Sequence, residues 1–245
     1  MAYLLLDDYG FLSEVSGECK FYELDSQVKE IGERAFTHAF GVRRVVIPST
    51  VKKIGKNAFS NCKYLSVVII KNGVESIGEG AFEGCDSLAS IVIPDSVKTI
   101  GKNVFKDCKQ LTEVVIGNGV KEIPTGAFSG CSNLTKVVIG NKVESLGFMS
   151  FLNCCNIAQM ILPKTLKDAS CSILCFKEGN TQSIVYYLGS FDEWQKIKFA
   201  GTDDEINKYM RCYYKETNPY ENDCNCEISY WHYDVDGEPR RWYID

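Results

Sequence analysis

Phenylalanine recurs through the middle of this 245-residue chain at one constant spacing of 23 residues. The six positions are Phe36, Phe59, Phe82, Phe105, Phe128 and Phe151. Such a period persists only if every unit of the chain occupies an equivalent structural position. It therefore predicts an array of stacked coils, in which each coil contacts mainly its two neighbours.

Each unit contains one half that favours a strand and one half that favours a helical turn. Leu65 to Ile70 is short, β-branched and partly alternating, as a strand requires. Ile77 to Cys85 spaces its apolar residues at i, i+4, i+5 and i+8, which predicts one or two turns of α or 3₁₀ helix. Because each unit has room for one strand, successive strands are expected to pair in parallel.

The unit from Val74 to Pro94 matches the pattern V-x-x-I-G-x-x-A-F-x-x-C-x-x-L-x-x-V-x-I-P at nearly every defined position. This pattern resembles the BspA-like class of leucine-rich repeats, and the resemblance covers residues 28–165. It implies a right-handed α/β solenoid with a parallel β-sheet on the concave face and short helical or 3₁₀ segments on the convex side. It also implies adhesion or protein binding on bacterial or protist surfaces.

The ends of such an array need covers, because an open end exposes apolar core and an unpaired strand edge. Residues 1–27 are predicted to form an N-terminal cap, a hairpin that turns in the polar region Ser13–Glu18. Residues 28–165 are predicted to form six repeats. Residues 166–245 are predicted to hold degenerate closing repeats and an aromatic, β-rich C-terminal cap.

Three signals organise the C-terminal part. Ile184–Tyr187 and Met210–Tyr214 favour strands, and Ser190 with Glu193 forms a candidate capping box. The segment after Cys226 predicts a final hairpin. Its aromatic residues are expected to close the array or, alternatively, to offer a platform for a sugar or peptide; they are Tyr230, Trp231, Tyr233 and Trp242.

Five of the twelve cysteines occupy one repeat column: Cys62, Cys85, Cys108, Cys131 and Cys154. The same column holds Ala39 in the first unit, so the position demands a small buried apolar group and not a partner sulfur. Free thiols in this column favour a reducing compartment. With no secretory signal in Met1–Asp8, the sequence predicts the cytosol. A secreted or cell-surface location is the alternative if the sequence is a fragment of a longer exported protein.

Charge and hydropathy argue against nucleic-acid binding and against a transmembrane helix. The net charge is −5 and the sequence has no basic stripe, which argues against nucleic-acid binding. The sequence contains no run of about 20 apolar residues, so no transmembrane helix is predicted.

The sequence offers little for catalysis or metal binding. Of the two histidines, His38 is expected to have a surface or capping role. His232 follows Cys224 and Cys226, with Cys212 further back, so a zinc site is conceivable, although the ligand spacing is irregular. We predict no catalytic residue, no metal ligand and no cofactor; a metal-binding or hydrolytic tail is the lowest alternative.

Val45 and Ile47 begin two apolar strand columns that are expected to face the core, and the candidate binding surface is the column between them. This column, here called the strip, consists of Val46, Ile69, Val92, Val115, Val138 and Ile161. Strand alternation should place it on the solvent side of the sheet, beside a variable column. That flanking column consists of Arg44, Val67, Ser90, Glu113, Lys136 and Gln159.

Contiguous exposed apolar surface marks partner sites, whereas β-propensity alone would be the structural explanation for the strip. We predict a non-enzymatic scaffold that binds a protein through the concave sheet, with a glycan as a possible ligand. A surface adhesin fragment that binds host protein or glycan is the alternative.

Overall fold

The computed structural model describes residues 3–17, 19–170, 184–200, 210–214, 229–233 and 239–241. Within them the chain forms a β-solenoid of about seven turns with parallel sheets. One strand of each coil belongs to the long-strand sheets, and a final antiparallel strand closes them at the C-terminal end. These strands are β3 (Phe21–Glu23), β5 (Arg44–Ile47), β7 (Val67–Ile70), β9 (Ser90–Ile93), β11 (Glu113–Ile116), β13 (Lys136–Val138), β15 (Gln159–Leu162), β17 (Ile184–Tyr187), β19 (Met210–Tyr214), β20 (Ser229–Tyr233) and β21 (Pro239–Arg241).

A second strand in each coil, mostly of two residues, forms the short-strand sheets. They contain β4 (Glu30–Ile31), β6 (Lys53–Ile54), β8 (Ser76–Ile77), β10 (Thr99–Ile100), β12 (Glu122–Ile123), β14 (Ser145–Leu146), β16 (Asp168–Ser170) and β18 (Lys198–Ala200). The sequence did not predict these strands, because two residues are too few to show an alternation.

Each ladder is divided once. The long strands form a three-stranded sheet, β3-β5-β7, and an eight-stranded sheet from β9 to β21. The short strands divide between β10 and β12, directly before Pro124. In neighbouring coils a glycine N–H at this column donates to the isoleucine carbonyl one coil earlier, as Gly101 does to Ile77 and Gly147 to Ile123. Proline has no N–H to donate, and a two-residue ladder has few other bonds to hold it.

The segments that were expected to be helical are irregular turns instead. Asn57 and Asn61 adopt left-handed backbone conformations, with φ of 53° and 59°. Between them, the N–H of Phe59 donates to Ala81 O of the next coil, at 2.8 Å. A helix needs right-handed residues throughout and keeps its N–H bonds within itself. The prediction of helical segments on the convex side was therefore wrong. The short helix α1 (Phe191–Trp194) is the one α-helix in the described residues.

The phenylalanine column lies in the core, and the prediction of equivalent positions is confirmed. All six rings are buried, and neighbouring rings stack with centroid distances of 4.2–5.4 Å. Four of the five contacts are parallel within 10°. The stack therefore continues from coil to coil through the described repeats.

A hairpin lies at the N-terminal end. β1 (Tyr3–Leu6) pairs antiparallel with β2 (Phe11–Ser16), and β2 in turn pairs with β4 of the first coil. The chain reverses at Asp7–Gly10, where the carboxylate of Asp7 accepts the N–H groups of Tyr9 and Phe11. The prediction of a turn at Ser13–Glu18 was wrong, because residues of this region continue β2.

At the C-terminal end the long-strand sheet continues beyond residue 165. β15, β17, β19 and β20 pair in parallel, and β21 closes the sheet antiparallel to β20. The predicted capping box is confirmed: Ser190 N donates to Glu193 Oε2 at 2.8 Å, and Glu193 N donates to Ser190 Oγ at 3.3 Å.

Candidate functional site

The ladder register brings the strip residues together on one face of the long-strand sheets. Val46 pairs with Ile69, and Val92 with Val115, in neighbouring strands. Val115, Val138 and Ile161 follow in the same register. The columns on either side of the strip in the sequence face the core, where Val45, Val68 and Ile91 are buried. The alternation within each strand therefore separates core from surface, as expected.

Exposure along the strip is uneven. Val92 is 59% exposed and Ile69 39%, and Val115 and Val138 are half-buried. Val46 and Ile161 retain only 7% and 4% of their surface. For these two residues the prediction of a solvent-facing side chain was wrong, and the open part of the strip spans four coils.

The cover over Ile161 comes from the next, non-repetitive part of the chain. Ile161 packs with Tyr186 in a small apolar cluster, to which Val138, Ile184 and Leu188 add. At the opposite end β3 runs alongside β5, with Glu23 in register with Val46. The ends of the strip are thus parts of the folded core, whereas its middle is exposed to solvent.

The flanking column changes character along the array. Arg44, Val67 and Ser90 are exposed, and Val67 retains 42% of its surface. Glu113, Lys136 and Gln159 are half-buried. Lys136 Nζ lies 3.8 Å from Glu113 Oε1, so two of these charges neutralise each other across neighbouring strands.

A groove of about 590 Å³ lies beside the C-terminal half of the strip. Its apolar wall consists of Val115, Val138, Ile161 and Leu188. The polar wall is formed by Asp95, Asn118, Asn141 and Lys164. The volume lies in the range of sites that hold small ligands or a few side chains of a protein partner.

Two glycines and a side-chain ladder shape this groove. The column that directly follows the strands holds Pro48, Lys71, Pro94, Gly117, Gly140 and Pro163, so only the two coils at the groove lack a side chain there. Along the polar wall, Asp95 Oδ1 accepts Asn118 N at 2.6 Å, and Asn118 Oδ1 accepts Asn141 N at 2.7 Å. These bonds fix the polar wall to the backbone.

The cysteine column is buried and poorly suited to chemistry. The thiols of Cys85, Cys108, Cys131 and Cys154 each donate to a phenylalanine carbonyl oxygen at 3.0–3.2 Å. Burial raises the pKa of Cys62 and Cys108 to about 12. Since the thiolate is the reactive form, these thiols are inert near neutral pH. All five occupy the small apolar position that the sequence indicates.

The remaining candidates add no centre for metal or catalysis. His38 lies on the surface, where its ring centroid is 6.5 Å from that of Phe40. Cys224, Cys226 and Trp242 lie outside the described residues. Cys212, His232 and the aromatics Tyr230, Trp231 and Tyr233 belong to strands β19 and β20. In the described parts of the chain, no group of three or more His, Cys, Asp or Glu side chains could hold a metal ion.

The sequence pattern missed part of the groove. Leu188, Asn118, Asn141 and Lys164 were not predicted, although the glycines at positions 117 and 140 interrupt a column of larger residues. That interruption was the available signal. Within the described ranges, no helix has the length and apolarity that a membrane crossing requires.

Comparison with known proteins gives a family and several similar folds. A sequence profile described as the BspA type leucine-rich repeat region, in six copies, matches residues 11–134 and 52–179, which is more than half of the chain. No curated protein matches the chain.

Among solved structures, a leucine-rich repeat protein of T. pallidum is 30% identical, with a TM-score of 0.49; the match covers 64% of this chain and 87% of that protein. A leucine-rich repeat protein of Eubacterium ventriosum is 24% identical, with a TM-score of 0.53 over 75% of this chain and 60% of that protein. A leucine-rich cell surface protein of Faecalibacterium prausnitzii is 17% identical, with a TM-score of 0.30 over 82% of this chain and 98% of that protein.

Proposed function

Since the chain belongs to the BspA type leucine-rich repeat family, we propose that it is a scaffold that binds a partner protein on the outer face of its long-strand sheets. Proteins of this repeat family are generally non-enzymatic binding scaffolds. The contact surface would be the open part of the strip, the exposed members of the flanking column and the groove. Binding would not require any covalent step.

The observation that carries this proposal is the open aliphatic surface in the middle of the strip. Ile69 and Val92 expose 39% and 59% of their surfaces on consecutive coils, at the division between the two long-strand sheets. Apolar surface that stays contiguous across several strands is the usual mark of a protein contact. Val67 extends it sideways, and the groove extends it towards Ile161.

The scaffold supports such a surface with a rigid backbone. Within each of the two long-strand sheets, the strands under the strip are tied to their neighbours by parallel ladders, and the side chains beneath them are fully packed. A partner would therefore meet a preformed surface, and little conformational entropy would be lost on the scaffold side.

The test uses a pair of matched double variants. Val92→Lys with Val115→Lys places two charges in the open strip. Thr99→Lys with Glu122→Gln makes the same +2 change in charge at exposed positions of β10 and β12, in the short-strand sheets. A partner captured by the wild-type chain is identified by mass spectrometry, purified and titrated against all three proteins.

We expect the strip variant to bind this partner at least about tenfold more weakly, because the lysines must be desolvated in an apolar contact. The control variant should bind as the wild type does. Equal losses in both variants, or full binding by the strip variant, would show that the strip is only structural. A captured glycan in place of a protein would favour the adhesin alternative.

The cysteine column also indicates in which cellular compartment the protein is found. Five cysteines at a 23-residue spacing are exposed together before the coils stack, and an oxidising compartment would cross-link them. We therefore favour the cytosol, with a secreted or surface-attached protein as the alternative. Alkylation of the protein directly in its native cells, followed by mass spectrometry, should find this column reduced; disulfides within it would favour export.

A further inference from the structure

A cleft beside the first two coils is lined by exposed aromatic and basic side chains. Two cavities, of about 230 and 360 Å³, share Phe40, Gly41 and Tyr64 among their lining residues. Lys20 and Arg43 complete the lining of the larger cavity together with Cys19. We call Lys20, Phe40, Gly41, Arg43 and Tyr64 the aromatic cleft.

The backbone at Gly41 keeps the cleft open. Gly41 has a φ of 78°, and no atom lies within 4 Å of the position that a Cβ would occupy. The two aromatic rings that line the cleft with Gly41 are mostly solvent-exposed, Phe40 at 67% and Tyr64 at 63%. Aromatic rings gain much from being covered, so the cleft has unused binding surface.

Stacking of the coils does not explain these aromatics. The residues equivalent to Tyr64 in the following coils are Ser87, Gln110, Asn133 and Asn156. Those equivalent to Phe40 are Lys63, Asp86, Lys109, Ser132 and Cys155. Aromatic residues therefore enter these columns only at the cleft, where they are exposed and add little to the core.

The positive charges of the cleft lack partners within the described residues. Lys20, Arg43 and the adjacent Lys63 form no ion pair there, whereas Lys53 and Lys98 each bond a glutamate one coil earlier. The N–H groups of Arg43 and Arg44 both donate to Lys20 O, at 2.8 and 3.0 Å, which holds the basic residues side by side. The result is a local positive field next to exposed rings.

From this combination we infer that the aromatic cleft binds an acidic segment of a partner protein, with a bulky apolar side chain between the two rings and flanking carboxylates on Lys20 and Arg43. Carboxylates complement the guanidinium and ammonium groups, and a buried apolar anchor supplies most of the affinity in such contacts. This site is separate from the strip and does not depend on it.

The probe is a fluorescein-labelled peptide, Glu-Glu-Phe-Glu-Glu, together with versions that carry Leu, Trp or Tyr at the centre. Fluorescence polarisation measures its binding to the full chain at low and high salt. Tyr64→Ala and Arg43→Glu test the cleft. Tyr9→Ala, at a 90% exposed ring, and Lys71→Glu, at an exposed lysine after β7, are the matched controls.

We expect saturable binding that weakens with salt, a loss of at least about tenfold in both cleft variants, and no change in the controls. A peptide with Ser at its centre should bind at least about tenfold more weakly. Arg43→Glu should instead gain affinity for the Lys-Lys-Phe-Lys-Lys peptide. The strip variant Val92→Lys with Val115→Lys should bind the probe normally, even if the strip proposal fails.

Three results would overturn the inference. One is the absence of saturable binding by all four peptides. The second is equal binding by the cleft variants and their controls. The third is binding of a galacturonic acid oligosaccharide at the cleft without binding of any peptide, which would identify an acidic glycan as the ligand.

Discussion

The phenylalanine column and the strip repeat with the same period, but only one of them has a uniform environment. Each of the six rings is at most 1% exposed. The strip residues, all valine or isoleucine, range from 4% to 59%. A ring in the interior is surrounded by the coils before and after it, which repeat. A strip residue is covered only where a non-repetitive part of the chain packs against it, as the region of Tyr186 and Leu188 does at Ile161.

The comparison separates two kinds of information. A constant column predicts which way a residue faces, because the backbone geometry repeats. It does not predict what covers an outward residue at the ends of the array. For the proposed function, this means that a repeated surface column is accessible to a partner only where non-repetitive elements leave it open.

The largest expected difference between the two columns is in stability. Phe105→Ala removes a fully buried ring stacked at 5.2 and 5.4 Å on its two neighbours, and should lower the free energy of unfolding by about 3–5 kcal/mol. Val92→Ala, at 59% exposure, should change it by less than about 0.5 kcal/mol. Urea denaturation followed by circular dichroism measures both. Similar losses in the two variants would mean that the strip is part of the core.

A smaller effect tests the turns that carry the phenylalanines. Asn61 is exposed with a φ of 59°, and the left-handed conformation is unfavourable for alanine. Asn61→Ala should therefore destabilise the chain by about 1 kcal/mol, whereas Asn61→Gly should be nearly neutral. Alanine is the better residue in a helix, so a stabilising Asn61→Ala would restore the helical interpretation of this segment.

The sequence was informative where a single coil determines the structure. It identified the core columns, the long strands from Arg44–Ile47 to Met210–Tyr214 and the capping box at Ser190. It failed at the turns, because apolar spacing alone does not distinguish a helix from alternating left- and right-handed residues. Asn and Gly at positions such as 57, 61, 80 and 84 were the missed signal, since these residues tolerate positive φ.

The candidate site was predicted only in part. The pattern located the strip on the correct face, but not the cover over Ile161, which comes from residues outside the repeats. The groove and the aromatic cleft both lie where the sequence departs from its own period, at Gly117 and Gly140 and at Phe40 and Tyr64. In a repeat protein, departures from the pattern deserve as much weight as the pattern itself.

The buried cysteine column should make the folded chain less stable at alkaline pH. Cys62 and Cys108 have a pKa near 12 in the folded chain, above the usual value of 9. Between these values the unfolded chain loses thiol protons that the folded chain keeps, so stability should be complete below pH 9 and fall as the pH rises towards 12. Cys108→Ala should make this fall less steep, as measured by urea denaturation at several pH values. An unchanged slope would show that Cys108 is not buried as a neutral thiol.

The most direct test of the account measures the exposure of the strip in solution, one position at a time. Single variants Val46→Cys, Ile69→Cys, Val92→Cys and Ile161→Cys are treated with a maleimide under native conditions, and each site is followed by peptide mass spectrometry. The structure predicts fast labelling at positions 69 and 92, and slow labelling, limited by unfolding, at positions 46 and 161. Equal labelling at all four positions, or protection of 69 and 92 in the isolated chain, would contradict a strip that is closed at its ends and open for a partner in its middle.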